Sequence, residues 1–334
     1  MLLPKLFTTA LLATVVLSLL GADEIKGRGA VFPAPLYQTW AADYFETTPQ
    51  PINYIPTDSE EAIKSVTKGL IDFAGSDKPL SPKILEKKKL YLFPTVVGAV
   101  VLTYNIDGVK DGALKLSRAA IKGIFNGSIT FWDDQEIVRY NADLKLPHQP
   151  IRVVVQGDNK SATTWHFTHF LHQLDRTINV SKKPTWRAKR VIVGASNAEV
   201  SAKILQLKNT IGYLDYAFKK KLGLSAAQIE NREGKFINPT LPSFQDAVKS
   251  ATWSAKRGFY ALIDDPKGET SYPIVAASYM VLPAQHLKHN KKVTAFIQWA
   301  YKQGDASAMA LGYVPLPQET KDAVKKYWKR QGIE

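Results

Sequence analysis

Cysteine is absent from all 334 positions of the chain. That excludes disulfide staples, thiolate metal sites and a lipid anchor on an N-terminal cysteine. No P-loop, GxSxG elbow or HExxH pattern occurs, so the common signatures of nucleotide hydrolysis, serine esterases and zinc proteases are missing. After the first twenty or so residues no apolar run reaches the roughly 20 residues needed to cross a bilayer. Repeats and low-complexity linkers are absent too. With 45% hydrophobic and 22% charged residues, the composition is that of a globular protein, long enough for two domains.

Charge is present with a bias. Formal net charge is +14, and the lysines are scattered apart from short runs at Lys87–Lys89 and Lys219–Lys221. A surplus of this size concentrates small anions and acidic partners around the molecule. The N-terminus combines Lys5 with the apolar LFTTALLATVVLSLL (6–20) and the small residues Gly21 and Ala22. This is the pattern of a cleaved export signal over 1–22. Export argues against a nucleic-acid partner. Without cysteine for a lipid anchor, an exported protein of this kind is expected in a periplasm.

Strand-like and helix-like segments alternate along the rest. Residues 31–48 read as a proline-interrupted turn followed by an amphipathic helix, 51–57 and 70–77 as strands, and 60–69 and 81–89 as helices. The β-branched run FPTVVGAVVLTYNI (93–106) reads as a strand buried on both faces. A second block repeats the pattern, with strands at 150–158 and 190–196, helices at 116–129 and 163–174, and a strand passing into a helix over 211–218. A further long extended run, SYPIVAASYMVLP (271–283), precedes two closing helices (292–303 and 317–331). This alternation predicts an α/β protein, and two long runs placed where the chain could cross between lobes predict a two-lobed one. The expected boundaries are 23–105 plus 272–334 for one lobe and 106–271 for the other, with a ligand cleft between them.

Within this framework GDNKSATTWHF (157–167) is the most informative stretch. A polar turn runs into a helix start, where unpaired amides and hydroxyls can hold an anion. The stretches AVFPAPLYQTWAADY, LIDFAGSDKPLS, LYLFPTVVGAVVLTYNI, IKGIFNGSITFWDD, LKLPHQPIRVVV, IGYLDYAF and GYVPLP follow one another from about Gly27 to about Trp328. In that order they resemble the periplasmic phosphate-binding component of the high-affinity phosphate ABC transporter. The resemblance implies a type II periplasmic binding fold whose two lobes close on inorganic phosphate by a two-segment hinge. It also implies delivery of the anion to an inner-membrane permease, with no cofactor and no catalysis. A monomer is expected.

The resemblance also implies a ligand shell, with departures. The first loop carries Val31-Phe32 where the family has Thr-Phe, so the amides remain and the hydroxyl is lost. In the second loop Ser59 matches the binding serine but is flanked by Asp58, Glu60 and Glu61. Ser76-Asp77 is unchanged, and Asp77 can accept a hydrogen bond only from a protonated oxyanion, which favours phosphate over sulfate. The fourth loop has Gln156 in place of an arginine, then Asp158-Asn159-Lys160-Ser161-Ala162-Thr163, with both glycines lost and one residue inserted. The expected phosphate-binding residues are therefore Val31, Phe32, Ser59, Asp77, Lys160, Ser161, Ala162 and Thr163, with Arg28 and Gln156 as the further counter-charge positions and Lys160 or Arg28 supplying the positive charge. Each charge-assisted hydrogen bond contributes about 1.5–3 kcal/mol, so losing the arginine leaves two further readings open. One is a paralogue for another oxyanion or acidic solute, or one with weakened affinity. The other is a phosphomonoesterase, for which neither an activated nucleophile nor a metal cluster stands out. His166, His169 and His172 share one helix without a carboxylate cluster, so no metal site is expected. Asp133-Asp134 and Asp264-Asp265 read as turn acids, and Ser161 reads equally as a ligand or a helix N-cap.

Overall fold

The computed structural model describes residues 23–158 and 160–334; the export signal expected at 1–22 lies outside the described residues. Strands β1 (Ile25–Gly29), β2 (Ile52–Pro56), β3 (Phe73–Ser76) and β4 (Leu90–Asn105) open the fold. They are followed by β5 (Lys115–Leu116), β6 (Arg152–Gln156), β7 (Val191–Gly194), β8 (Thr210–Asp215) and β9 (Ser225–Ala226). The last are β10 (Gln228–Glu230), β11 (Phe236–Ile237) and β12 (Val275–Pro283). The main sheet runs β2-β1-β3-β12-β4-β8-β6-β7, with β9 beside β4, and β11-β10-β5 form a small second sheet.

The long β4 organises the molecule. Its 16 residues are all buried except Tyr91 and Asn105, as its continuous β-branched pattern predicts. Leu90–Ala99 pair antiparallel with β12, whereas Val100–Asn105 pair antiparallel with β8. One strand therefore belongs to two sheet regions, each covered by its own helices. β12 returns beside the first half of β4, with a register shift between Ser278 and Tyr279. Gly98 is required beside β12: a Cβ there would lie 2.3 Å from the Phe32 ring. The bare glycine lets Phe32 pack flat on β4 and fixes the loop after β1.

The expected elements are largely found, with boundaries moved by a few residues. The helices Ala34–Thr47, Ser59–Thr67, Pro82–Lys88, Arg118–Asn126 and Ala162–Leu174 stand where periodicity put them. Ser81 occupies the N-cap position of its helix but makes no side-chain cap bond. The first closing helix starts at Leu287, earlier than 292, and a short helix Asp305–Ala310 follows it. Among the described residues no helix is long and apolar enough to cross a membrane.

Helix Ala162–Leu174 is held on the second sheet region by aromatic packing. The Phe167 ring stacks on Tyr213 at 4.5 Å and meets Phe125 edge-on at 4.6 Å. The Tyr213 hydroxyl also accepts from the Gln156 amide at 3.2 Å and pairs with Thr164 Oγ1 at 2.8 Å. Strand β6, strand β8 and the start of this helix are thus tied at one buried point, which places Ser161, Ala162 and Thr163 rigidly.

Candidate functional site

A cavity of about 220 Å³ opens where the loops after β1, β3 and β6 meet the end of β8. Val31, Phe32, Ser59, Asp77, Gln156, Asp158, Lys160, Ser161, Ala162, Thr163, Asn197 and Asp215 are among its walls. Eight residues expected around the ligand, together with Gln156, are therefore gathered in one place. Arg28 is not: it lies on the exposed face of β1 and is absent from these walls. Larger recesses near Trp186 (about 350 Å³) and Asp265 (about 680 Å³) gather no comparable set of helix starts.

Two helices aim their N-termini at the cavity. The Ser161 hydroxyl accepts from the Thr164 amide at 3.0 Å, so this serine is the N-cap. The amides of Ala162 and Thr163 keep no intrahelical acceptor, and the positive end of a 13-residue helix stands behind them. At the second helix Asp58, not Ser59, is the cap, accepting from the Glu60 and Glu61 amides at 3.0 Å. Ser59 is the first helical residue and lines the cavity. Glu60 and Glu61 are exposed.

The hydroxyls of Ser161 and Thr163 are already engaged. Ser161 donates to Gln156 Oε1 at 2.9 Å, and Gln156 Nε2 donates to Asp158 Oδ2 at 2.8 Å. Thr163 donates to Asp215 Oδ1 at 2.7 Å, and Asn197 Nδ2 donates to Asp215 Oδ2 at 2.8 Å. Gln156 thus forms a neutral bridge that ties the loop to its own helix cap. Among the described residues of the cavity wall, Lys160 is the only cation, and it shares that wall with the carboxylates of Asp77, Asp158 and Asp215.

Asp77 sits at the centre. Ser76 is spent on the turn itself, donating to the Lys78 carbonyl at 2.7 Å. Asp77 Oδ1 accepts from Ser278 at 2.6 Å, and its buried Oδ2 has no hydrogen-bond partner among the described residues. Burial pushes the Asp77 carboxyl up to about 6, against the pull of the Ser278 hydroxyl and of the charges on His166 and Lys182. Burial likewise pushes Asp215 up to about 7; the Thr163 hydroxyl opposes the rise and the negative charge of Asp77 adds to it.

Sequence reasoning missed three contributors. Lys182 reaches Asp58 Oδ2 at 3.2 Å and Glu60 Oε1 at 3.5 Å, cancelling acid charge beside Ser59. It also lines an adjoining cavity of about 230 Å³ that shares Ser59, Asp77, Lys160 and Ala162 with the first. No motif marks Lys182, which lies in an irregular segment far along the chain. His166 Nε2 donates to the Asp77 carbonyl at 3.0 Å. Asp264, expected as a turn acid, is instead buried against His169 Nδ1 at 2.9 Å and His166 Nδ1 at 3.7 Å. Burial favours its neutral form, but the two imidazoles outweigh this and hold the Asp264 carboxyl below its usual range. Burial alone would depress His166; the Asp264 carboxylate reverses that and raises it. Among the described residues no group of His, Cys, Asp and Glu could hold a metal ion. Asp265 forms a bidentate pair with Arg118 at 2.7 and 2.9 Å, so it too anchors the loop.

Residues 18–303 match the model of the PBP superfamily domain. The phosphate-binding protein PstS of Haemophilus influenzae is 33% identical over 93% of this chain and 94% of its own length. That of Pasteurella multocida is 34% identical over 99% of this chain and 95% of its own length. Among solved structures, the phosphate-bound high-affinity periplasmic phosphate-binding protein PfluDING superposes with a TM-score of 0.73 at 19% identity, covering 91% of this chain and 93% of that one. The phosphate-binding protein of Stenotrophomonas maltophilia gives 0.71 at 21% identity, covering 91% and 94%. These likenesses show a two-lobed periplasmic binding protein fold.

Proposed function

The chain belongs to the PstS family, and from that premise we propose that it captures inorganic phosphate in the periplasm and delivers it to an inner-membrane ABC permease. The observation that carries this reading is the Asp77 carboxylate, buried with one oxygen held by Ser278 and the other unpartnered among the described residues on the cavity wall. A carboxylate oxygen in that position accepts a proton-bearing oxyanion and repels one without protons. The amides at the Ala162 and Ser59 helix starts supply oriented donors on the other side.

Binding proceeds by closure of two lobes, 23–105 with 272–334 against 106–271, hinged where β4 and the run into β12 pass between them. Phe32, Ser59 and Asp77 come from the first lobe; Lys160, Ser161, Ala162 and Thr163 come from the second. No bond is made or broken, in keeping with relatives that are named as binding proteins. The chain acts as a monomer after removal of its export signal, unlipidated because it has no cysteine.

A second reading, a paralogue tuned to another oxyanion or weakened for phosphate, is supported by Gln156 and Val31, which remove a charged donor and a hydroxyl from the shell. Calorimetric titration with phosphate, arsenate and sulfate near neutral pH tests both. Heat with phosphate and arsenate but not sulfate is expected. Absence of heat with phosphate at high protein concentration would sink the phosphate claim and leave the fold intact.

A further inference from the structure

Two buried acceptor atoms of residues that line the 220 Å³ cavity, Asp77 Oδ2 and Asn197 Oδ1, have no hydrogen-bond partner among the described residues, and neither has the hydroxyl of Thr57 in the same lining. Leaving a buried acceptor unsatisfied is costly, so such atoms mark where a donor is meant to arrive. The Asn197 amide is not free to turn and present its nitrogen instead. That nitrogen donates to Asp215 Oδ2 at 2.8 Å and to Thr163 Oγ1 at 3.4 Å. Oδ1 and Oδ2 of Asp215 both accept here, from Thr163 and from Asn197, so Asp215 fixes which end of the amide faces it and which faces away. Thr163 and Ser161 have given their protons to Asp215 and Gln156. The cleft therefore offers a ligand the amides of two helix starts, the hydroxyls of Thr57 and Ser59 and the Lys160 ammonium, and its two carbonyl-type acceptors, Asp77 Oδ2 and Asn197 Oδ1, ask two hydroxyl protons in return.

We propose that Asn197 is a ligand-binding residue, oriented by Asp215, and that the preferred occupant is an oxyacid monoanion bearing two hydroxyls, dihydrogen phosphate rather than the dibasic ion. This rests on the phosphate reading of the cleft and narrows it to a protonation state. Charge supports the same choice. Asp215 is faced by Asp77 from the end of β3, by His166 from helix Ala162–Leu174 and by Tyr313 from the C-terminal segment. Asp158 and Lys160 complete the charged wall. Three carboxylates against one lining cation leave a dibasic anion poorly compensated.

The test is calorimetry of the full chain with phosphate from about pH 5.5 to about pH 8.5, in buffers of different ionisation enthalpy. Phosphite is the comparison ligand, because its monoanion carries one hydroxyl where dihydrogen phosphate carries two. The wild type should lose about tenfold in affinity per pH unit above the second ionisation of phosphate and take up about one proton per ion bound there. Near pH 6.5, where Asp77 is mostly ionised and phosphate is still largely monobasic, it should prefer phosphate to phosphite by about tenfold or more. In Asp215→Asn the Asn197 amide can rotate and donate, so the pH slope should flatten and the phosphite gap should narrow. Asn197→Ala should also narrow that gap, whereas general damage to the fold lowers both affinities together at every pH. Phosphate binding that is flat or tightens with rising pH, or a phosphite gap unchanged in both variants, overturns this inference alone. No heat with phosphate at any pH overturns the phosphate reading, and this inference falls with it.

Discussion

The Ser278 hydroxyl donates to Asp77 Oδ1 at 2.6 Å although the two residues are 201 positions apart. Ser278 lies on β12 at the register shift beside β4, and Asp77 follows the end of β3, two strands that pair directly. The strand that returns from the far part of the chain thereby sets the rotamer of the central carboxylate. On the proposed reading, selectivity would be built into the sheet, because Ser278 holds one oxygen of Asp77 in place.

Asp77→Asn removes the acceptor-only character of that position while keeping its shape. The amide can donate to an unprotonated oxygen, so sulfate should gain relative to phosphate by about tenfold or more, since one buried unsatisfied contact is exchanged for a satisfied one. Paired titrations with the two ions measure the ratio. An unchanged ratio would remove Asp77 from the selective role.

Lys182→Met should weaken phosphate binding by about two- to fivefold at low salt, and by less at high salt. The Lys182 side chain is 21% exposed and its partner Asp58 15%, so the pair is screened and its coupling is about 0.5–1 kcal/mol. The loss should appear mainly in the dissociation rate, because the pair spans the two expected lobes and resists their opening. Stopped-flow release at two salt concentrations checks this; a loss equal at both would point to packing instead.

Much of this architecture is legible in the sequence and some of it is not, for reasons that follow from range. The continuous β-branched run of β4 and the helix start at Ser161 are local patterns, and both are where periodicity and capping chemistry put them. The gathering of Val31, Phe32, Ser59, Asp77 and the 160–163 turn followed from motif order. What could not be read is pairing between distant side chains. Asp58 outcompetes Ser59 as cap because a carboxylate accepts from two amides at once. Arg28 fails to reach the cavity because strand alternation turns it outward. Asp264 looks like a turn acid because nothing nearby in sequence announces His166 and His169, about 95 residues earlier in the chain. Gln156 is visible in the sequence as an uncharged residue before the turn, but its bridge from Asp158 to Ser161 emerges only in three dimensions.

The unliganded protein should lose stability as pH rises from about 4 to about 8. Folding raises the Asp215 carboxyl from 3.8 to about 7. A raised carboxyl contributes stability that is complete below its unfolded value and is lost as pH climbs through the folded one. Asp77, raised to about 6, acts in the same direction and is coupled to it. Asp215→Asn should therefore melt higher than wild type at pH 8, by on the order of 2–4 kcal/mol of unfolding free energy, and show little difference near pH 4. Urea unfolding at the two pH values measures both. A variant equally destabilised at each would mean that the hydrogen bonds to Thr163 and Asn197 outweigh the desolvation of the charge.

Asp264→Asn tests the buried loop anchor with the opposite expectation. The Nε2 proton of His166 is committed to the Asp77 carbonyl, so a neutral ring would turn the bare lone pair of Nδ1 toward a carboxylate. A protonated ring gives that face a charge to pair, which fits the raised His166 and the lowered Asp264. Removing the carboxylate leaves a buried cation without its partner, and breaking such a pair costs about 3–5 kcal/mol. The sign follows from both groups. The His166 share is present at low pH and fades as pH rises through its raised folded value; the Asp264 share is present above 3.8 and fades as pH falls through its lowered one. The destabilisation by Asp264→Asn should therefore be greatest in the mildly acidic range between them and shrink on either side, as urea unfolding across pH will read. Because His166 also holds the Asp77 carbonyl, phosphate affinity should fall in the same variant, and an affinity that stays at the wild-type value would separate this anchor from the cleft.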